Sequence, residues 1–296
     1  MKKILTMLAA LGIAVTFALP AYADPQSDLK EFQGYFKKKY PEIKFDEYAN
    51  GFYAFPQFKA YRESWVVANE FPVYELGLDR GKKLWEKKFA NGESFANCVK
   101  KGAIKPAYTY PRWDKAAKSI RTAELDIMDC AKANNADPKE LTFLAAAADL
   151  GKDEKARVQL AELTAHFYSM YKGKRIKPDV DFTDNDALAA YEKGKKYWWT
   201  RRGQLHFACA NCHIDMAGKD LGGNQPLSAA LGHTTAWPAQ RYDWFRIDTI
   251  MMRYSTCNSQ VRAKPAKHYG PEYLSLQLYE TYMSSGLPLT APAMRN

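Results

Sequence analysis

The sequence lacks the features that would indicate a membrane-embedded or a zinc-binding protein. Beyond the N-terminus, its most apolar stretch, 141–150, is too short to cross a bilayer and contains Asp149. Cysteine is scarce, with five in 296 residues, and the one Cys-x-x-Cys pair has no second Cys or His pair at a spacing suited to zinc. Strand-like alternation of apolar and polar residues is also rare, so we predict an all-α fold with no membrane span.

The N-terminal segment has the pattern of a cleaved secretory signal. Two lysines precede an apolar run over 4–19, and an Ala-Tyr-Ala triplet at 21–23 offers small residues at the positions that a signal peptidase reads. We therefore predict a signal peptide over 1–23, with Asp24 as the first mature residue. The alternative, an uncleaved membrane anchor, would need about 20 apolar residues.

The chain is basic, with 43 Lys and Arg against 33 Asp and Glu and a formal net charge of +10. Loss of Lys2 and Lys3 with the signal lowers this by two, to +8. An exported protein is poorly placed to meet nucleic acid, so we predict no nucleic-acid partner. The excess charge instead favours small anions or an acidic protein partner, through attraction that salt screens.

Two segments resemble each other closely enough to indicate an internal duplication. The run GKKLWEKKFANGESFANCV from Gly81 aligns with GKKYWWTRRGQLHFACANCH from Gly194, with one gap. Downstream, a proline is followed nineteen residues later by Cys130 in the first copy and by Cys257 in the second. We therefore predict two tandem helical modules.

Apolar periodicity predicts helices in both modules. Tyr242, Phe245, Thr249 and Met252 recur at three or four residues, as a buried helical stripe would. A further apolar helical segment is predicted after each second cysteine. These two segments cover 140–150 and 273–283. The predicted organisation is a leader over 24–70, a first module over 71–151, a charged connection over 152–183 and a second module over 184–296.

The run Cys209-Ala210-Asn211-Cys212-His213 fits C-x-x-C-H, the pattern of covalent c-type haem attachment. Two thiols must reach two vinyl groups on one edge of the porphyrin, while the next residue turns its imidazole onto the iron. We predict one haem c, attached through Cys209 and Cys212, with His213 as an axial ligand. A Cys-x-x-Cys redox motif would need a βαβ context, which the sequence does not offer.

The first module lacks an intact C-x-x-C-H motif. In the alignment Phe95 replaces the first cysteine and Val99 replaces the histidine, so the first module should carry no haem. The cysteines that remain there are Cys98 and Cys130. If their positions approach each other across a haem-sized pocket, the pocket can close without haem and the thiols can pair in an oxidising compartment. We predict a disulfide between them.

One cysteine, Cys257, is then left over. Its counterpart in the first module is predicted to touch the attachment cysteine, so Cys257 should lie beside the haem, where its thiolate could be the sixth ligand opposite His213. A buried inert thiol and an intermolecular bridge are the alternatives for this cysteine. Other candidates for the sixth ligand remain open: Met251, Met252, Met283, Met294 and His233.

Arg253 lies four residues before Cys257, on the same face of a continuous helix. Its guanidinium could lower the pKa of the thiol and hold an oxyanion by forked hydrogen bonds. An ion pair with a nearby acid such as Asp248 is the alternative.

The run RYSTCNSQVRA over 253–263, following the CANCH motif by about 45 residues, resembles the A subunit of the SoxAX cytochrome of bacterial sulfur oxidation. The resemblance covers nearly the whole mature chain. It is to the branch of the family in which a disulfide replaces the N-terminal haem. It implies tandem cytochrome c-like domains and a periplasmic L-cysteine S-thiosulfotransferase. Such a subunit pairs with a small cytochrome, SoxX, and joins thiosulfate to a cysteine of the SoxYZ carrier.

The resemblance also implies roles for individual residues. His213 and Cys257 would be the axial ligands, Cys257 often carries an extra sulfur as a persulfide, and Cys257 with Arg253 would be catalytic. Joining two sulfur nucleophiles releases two electrons and one haem accepts one, so the SoxX haem is the natural second acceptor. Two other functions stay open: an electron-transfer cytochrome c without catalysis, and a thiosulfate dehydrogenase that forms tetrathionate.

Overall fold

The computed structural model describes residues 24–295, so the predicted signal peptide lies outside the described part of the chain. Helices make up most of the secondary structure. They are α1 (Pro25–Lys39), α2 (Lys59–Ala68), α3 (Glu75–Glu86), α4 (Phe95–Lys100), α5 (Ala123–Ala133), α6 (Thr142–Ala145), α7 (Glu154–Ser169), α8 (Asn185–Trp199), α9 (Ile250–Gln260) and α10 (Pro271–Met283). No helix between residues 24 and 295 is both long and apolar enough to cross a bilayer.

Between residues 24 and 295, three small sheets accompany the helices, so the all-α prediction holds for the bulk of the fold only. The strands are β1 (Arg112–Asp114), β2 (Ser119–Arg121), β3 (Asp220–Leu221), β4 (Gln225–Pro226), β5 (Ala239–Arg241), β6 (Ile247–Asp248) and β7 (Ala293–Arg295). The first four form two antiparallel pairs, β1 with β2 and β3 with β4. In the third sheet β5 is central, antiparallel to β6 and parallel to β7.

The helical stripe predicted before Cys257 is wrong over its first half. Residues 239–248 form β5, a turn and β6, and the helix begins only at Ile250. Tyr242 and Phe245, predicted to be buried, are exposed, Phe245 to 88%. The physical reason is the pairing of β5 with β7, in which Ala239 lies opposite Ala293. The backbone N–H and C=O groups of β5 form hydrogen bonds with this distant strand, whereas in a helix they would bond within the same segment.

The leader packs on the second half of the chain. Helix α1 begins where the Asp24 carboxylate accepts the backbone N–H groups of Gln26 and Ser27. From α1, Asp28 accepts hydrogen bonds from Tyr191 (2.8 Å) and Lys195 (2.6 Å) on α8. The leader is therefore part of the core around α8 and α10 and is not a separate appendage.

Each half contains a pair of helices that cross at a glycine. A Cβ added to Gly81 on α3 would lie 2.1 Å from the carbonyl oxygen of Glu162 on α7. A Cβ added to Gly194 on α8 would lie 1.9 Å from that of Ser275 on α10. Both members of the second pair follow those of the first by 113 positions, so the duplication read from the sequence also describes how the helices pack.

This correspondence changes the role of two segments. The counterpart of α10 is α7, which lies inside the range 152–183 that was predicted to be a charged connection. Ten residues of α7 are buried, so this range contributes to the core of the first half. The segment 140–150, predicted to be the equivalent helix, is helical only over Thr142–Ala145.

The predicted disulfide between Cys98 and Cys130 is present, and it joins α4 to α5 with a Cα–Cα distance of 6.2 Å. Phe95, which replaces the first haem-attachment cysteine, is buried and stacks on Trp85 at 5.5 Å. Trp85 also stacks on Phe167 of α7 at 5.3 Å. Aromatic rings and a disulfide thus fill this part of the first half.

Candidate functional site

The second half contains a cavity of about 580 Å³, a size within the range of about 300–1,000 Å³ typical of cofactor and ligand sites. Its walls come from the end of α8, the C-x-x-C-H segment, the β3–β4 hairpin, the β5–β6 turn, α9 and α10. Five residues predicted from the sequence line it together: Cys209, Cys212, His213, Arg253 and Cys257. The structure therefore gathers the predicted haem and sulfur residues at one place.

His213 is prepared to act as a metal ligand. It lies on a π-helical turn, Asn211–Asp215, and its Nδ1 is 3.0 Å from the carbonyl oxygen of Ser228. Because a carbonyl only accepts, Nδ1 carries the proton and Nε2 keeps its lone pair. Burial lowers the pKa of His213 to about 3, so the ring is neutral at physiological pH. A neutral imidazole with a fixed tautomer fits an axial iron ligand.

The two cysteines of the C-x-x-C-H motif are protonated thiols in this setting. Burial raises the pKa of Cys209 to about 12 and also raises the pKa of Cys212. Asn211, between them, accepts the N–H of Ala208 through its side chain at 2.9 Å, which closes the turn. Two neutral thiols and the imidazole of His213 share one wall of the cavity, so the residues present fit a covalently bound haem c.

Helix α9 presents Arg253 and Cys257 to the same cavity. Contacts on its other faces set its orientation: Ser255 Oγ lies 2.8 Å from His268 Nε2, and Asn258 donates to the Tyr273 hydroxyl at 3.2 Å. Since positions four apart share a helix face, Arg253 and Cys257 both line the cavity that the C-x-x-C-H segment also lines.

Arg253 does not form the ion pair with Asp248 that was the alternative to a functional role. The Asp248 carboxylate is instead held by Arg157 at 2.9 Å and by Arg246 at 3.3 Å. The buried Nη1 of Arg253 has no hydrogen-bond partner among residues 24–295. Nη1 is closed off from water, so it does not itself face the cavity; Arg253 offers an anion there its positive charge and the part of its side chain that lines the cavity.

The other candidates for the sixth ligand are less well placed than Cys257. Met251, Met252, Met283 and Met294 all lie in the described part of the chain, and none of the four lines the cavity. His233 does line it, but its ring centroid is only 4.3 Å from that of His213. Two metal–nitrogen bonds of about 2 Å each and the size of two rings require roughly 6 Å. An iron atom does not fit between these two imidazoles as they stand.

Several cavity residues were not predicted. Glu280 on α10 lies 2.8 Å from His233 Nδ1, and Arg202 stacks over the Tyr197 ring at 3.7 Å. The third, Arg241, ends strand β5, where the sequence was read as a helix. Trp198 could have been found, because it aligns with Trp85 of the first half.

A helical fold in which a C-x-x-C-H segment forms the wall of a cofactor-sized cavity defines a c-type cytochrome. Comparison with known families agrees, since residues 80–173 match the model described as SoxA/TsdA, cytochrome c domain. The match falls mainly on the half that lacks the C-x-x-C-H motif. The second half repeats its helix pairing, which supports a tandem arrangement of cytochrome c-like units.

Curated relatives show which family of c-type cytochromes this chain belongs to. The L-cysteine S-thiosulfotransferase subunit SoxA of Allochromatium vinosum is 35% identical over 294 residues, covering 99% of this chain and 98% of that protein. Its namesake from Chlorobaculum tepidum is 37% identical over 270 residues, covering 91% and 87%. The chain belongs to the SoxA family. The crystal structure of SoxXA from P. pantotrophus shares the fold, with a TM-score of 0.62 at 22% identity, covering 76% of this chain and 79% of that one.

Proposed function

We propose that this chain is the haem-bearing SoxA subunit of a periplasmic L-cysteine S-thiosulfotransferase, which joins thiosulfate to a cysteine of a SoxYZ carrier. One observation carries the proposal: the C-x-x-C-H residues, Cys257 and Arg253, an arginine with no ion pair among residues 24–295, line a single cavity in a chain of this family. A site that only shuttled electrons would need neither the cysteine nor the free guanidinium.

The cavity residues divide into those that hold the cofactor and those that handle sulfur. Cys209 and Cys212 would hold a haem c covalently, and His213 and Cys257 would be the protein ligands of its iron. A haem c held in this way supplies a one-electron acceptor next to the sulfur of Cys257. The first half, with its disulfide and its aromatic filling, carries no second haem in this proposal.

The reaction joins the outer sulfur of thiosulfate to the sulfur of the carrier cysteine. An S–S bond forms, the thiol loses its proton, and two electrons leave the pair of sulfurs. In this scheme Cys257 takes up the thiosulfate-derived group and passes it to the carrier thiol. Arg253 binds the oxyanion end, because a planar guanidinium matches its oxygens and balances its charge.

Electron balance implies a second redox partner. A haem c on this chain would accept only one of the two electrons, so we propose that a SoxX-type subunit would supply the second one-electron acceptor. The Cys98–Cys130 disulfide agrees with an oxidising compartment, as does the predicted signal peptide over 1–23.

The experiment that tests this proposal is the Cys257→Met variant of the complex purified from the periplasm. Methionine also ligates haem iron, so the variant should keep its colour and its partner while losing transferase activity with thiosulfate and the carrier. Native mass spectrometry of the parent should count one haem on this chain and report any extra sulfur on Cys257. Turnover retained by the variant would exclude Cys257 as the catalytic residue.

A further inference from the structure

The cavity carries more positive than negative side chains. Its charged residues are three arginines, at 202, 241 and 253, and two acids, at 243 and 280. Glu280 is engaged by His233 Nδ1 at 2.8 Å. Arg202 is committed to the protein as well, because it stacks over Tyr197 and its Nη2 donates to the Tyr197 carbonyl oxygen. The two other charged arginines of the cavity are Arg241 and Arg253.

Arg241 is placed beside Arg253 by the third sheet. It ends β5, where it lies opposite Arg295 of β7, and its side chain turns into the cavity that also holds Arg253 and Cys257. Burial, reinforced by the charge of Arg253, lowers the pKa of the Arg241 guanidinium below its usual value. Two guanidinium groups therefore face one space and disfavour each other there.

The protein supplies little to relieve this repulsion. Arg241 donates through Nε to Asp243 Oδ1 at 3.2 Å, but the Asp243 side chain is 63% exposed and its charge is screened by water. Arg253 keeps a buried Nη1 with no partner among residues 24–295. Two arginines line one cavity, and among residues 24–295 the only ion pair that either of them makes is that of Arg241 with the exposed Asp243, so an oxyanion would complete this arrangement.

We propose that Arg241 is a second anion-binding residue, which together with Arg253 clamps an oxyanion beside Cys257. The inference rests on the proposed function. A sulfonate group and a carboxylate share the required chemistry, so the anion is either the oxyanion end of thiosulfate or a propionate of the haem. In both cases two guanidinium groups hold one anion. Without the anion, Arg241 donates its hydrogen bond to Asp243.

The test compares Arg241→Gln with the parent as complete holoprotein complexes. Arg175→Gln is the matched control, because it removes one positive charge from an arginine that is exposed and pairs with Asp46. Two quantities are measured without carrier protein: the Kd of thiosulfate by calorimetry, and the midpoint potential of the haem. Loss of one charge-assisted pair should raise the Kd roughly 10-fold to 100-fold.

The two measurements separate the two anions. A raised Kd with an unchanged potential identifies thiosulfate as the ligand of Arg241. A lowered potential with a Kd within about twofold of the parent identifies the propionate, because removing a cation there favours the ferric form. If the Kd and the potential of Arg241→Gln both change no more than those of Arg175→Gln, the proposal is overturned. That result would leave the proposed role of Cys257 intact.

Two further variants keep the test sharp if Arg241→Gln folds poorly. Arg241→Lys keeps the charge but loses the fork, so its effect should be intermediate. Asp243→Asn should act in the opposite direction and tighten anion binding, since it frees Arg241 and removes a negative charge from the cavity. Weaker binding in Asp243→Asn would contradict the clamp.

Discussion

The crossing of α8 and α10 offers the sharpest test of how this fold holds its cavity. Replacing Gly194 by Ala would place a Cβ 1.9 Å from the carbonyl oxygen of Ser275, where real Cβ contacts stay beyond 3.0 Å. The helices must therefore separate locally by about 1 Å or more, because a backbone oxygen cannot rotate away as a side chain can. Overpacking of this kind costs about 1–3 kcal/mol, and this site belongs at the upper end.

The expected loss for Gly194→Ala is thus about 3 kcal/mol, or roughly 6–12 °C in Tm. The measurement is chemical denaturation followed by far-ultraviolet circular dichroism, together with the Soret band of the haem. Because α8 carries Trp198 and α10 carries Glu280 into the cavity, the Soret band should shift as well.

Two glycines serve as controls. Gly34 on α1 is exposed with nothing within 4 Å of an added Cβ, so Gly34→Ala should stabilise by about 0.5–1 kcal/mol through backbone entropy. Gly81→Ala should cost as much as Gly194→Ala but leave the Soret band unchanged, since α3 and α7 contribute no residue to the described lining of the cavity. If Gly194→Ala behaved like Gly34→Ala, the close helix crossing would be refuted.

Three other predictions concern stability. The double variant Cys98→Ala/Cys130→Ala should lose about 4 kcal/mol, for a disulfide that spans 32 positions, with an unchanged Soret band; an equal denaturation midpoint would contradict this. Burial raises the pKa of Glu124 above its unfolded value, so its burial costs free energy once pH exceeds about 4.3. Glu124→Gln should therefore raise the denaturation midpoint at pH 7, and titration of that midpoint should show the gain vanishing as pH falls below the unfolded pKa of about 4.3; a gain independent of pH would refute the cause. Asp248→Ala should cost about 3–5 kcal/mol, because the buried Arg157 would keep only the exposed Glu154 carboxylate at 3.8 Å as an ionic partner, and Arg157→Met in the same chain should restore much of the loss in denaturant unfolding.

The Cys98–Cys130 disulfide is confirmed, and the residues predicted to hold a haem line one cavity, so the sequence predicted which cysteines and histidine come together. The attachment of haem needs residues within five consecutive positions, so Cys209, Cys212 and His213 could be named without any fold. The internal duplication also allowed a contact between residues distant in sequence to be predicted, because Cys98 and Cys130 could be paired through their counterparts in the second half. Such inferences succeed when the interacting groups are adjacent in sequence or are related by a repeat.

Segments whose state depends on distant partners were predicted poorly. The stripe at 242–252 has helical spacing, yet its first part is strand and turn because β5 pairs with β7. Helix α7 was taken for a connection, since its charged residues hide how much of it is buried. Charge composition predicts exposure only when the charges lack partners, and Arg157 and Glu162 are buried with theirs.

The sequence by itself therefore determined the chemistry available to this protein: one attachment motif, one leftover cysteine, one lost motif and a repeat. Only the tertiary structure decided which groups meet. In the structure His233 lies too close to His213 for the two to share an iron. Asp248 pairs with Arg157 and not with Arg253, and Arg241 lines the cavity that Cys257 also lines. The reason is physical: covalent and capping chemistry acts between neighbours in the chain, whereas charge pairing and cavity shape depend on packing between residues far apart in sequence.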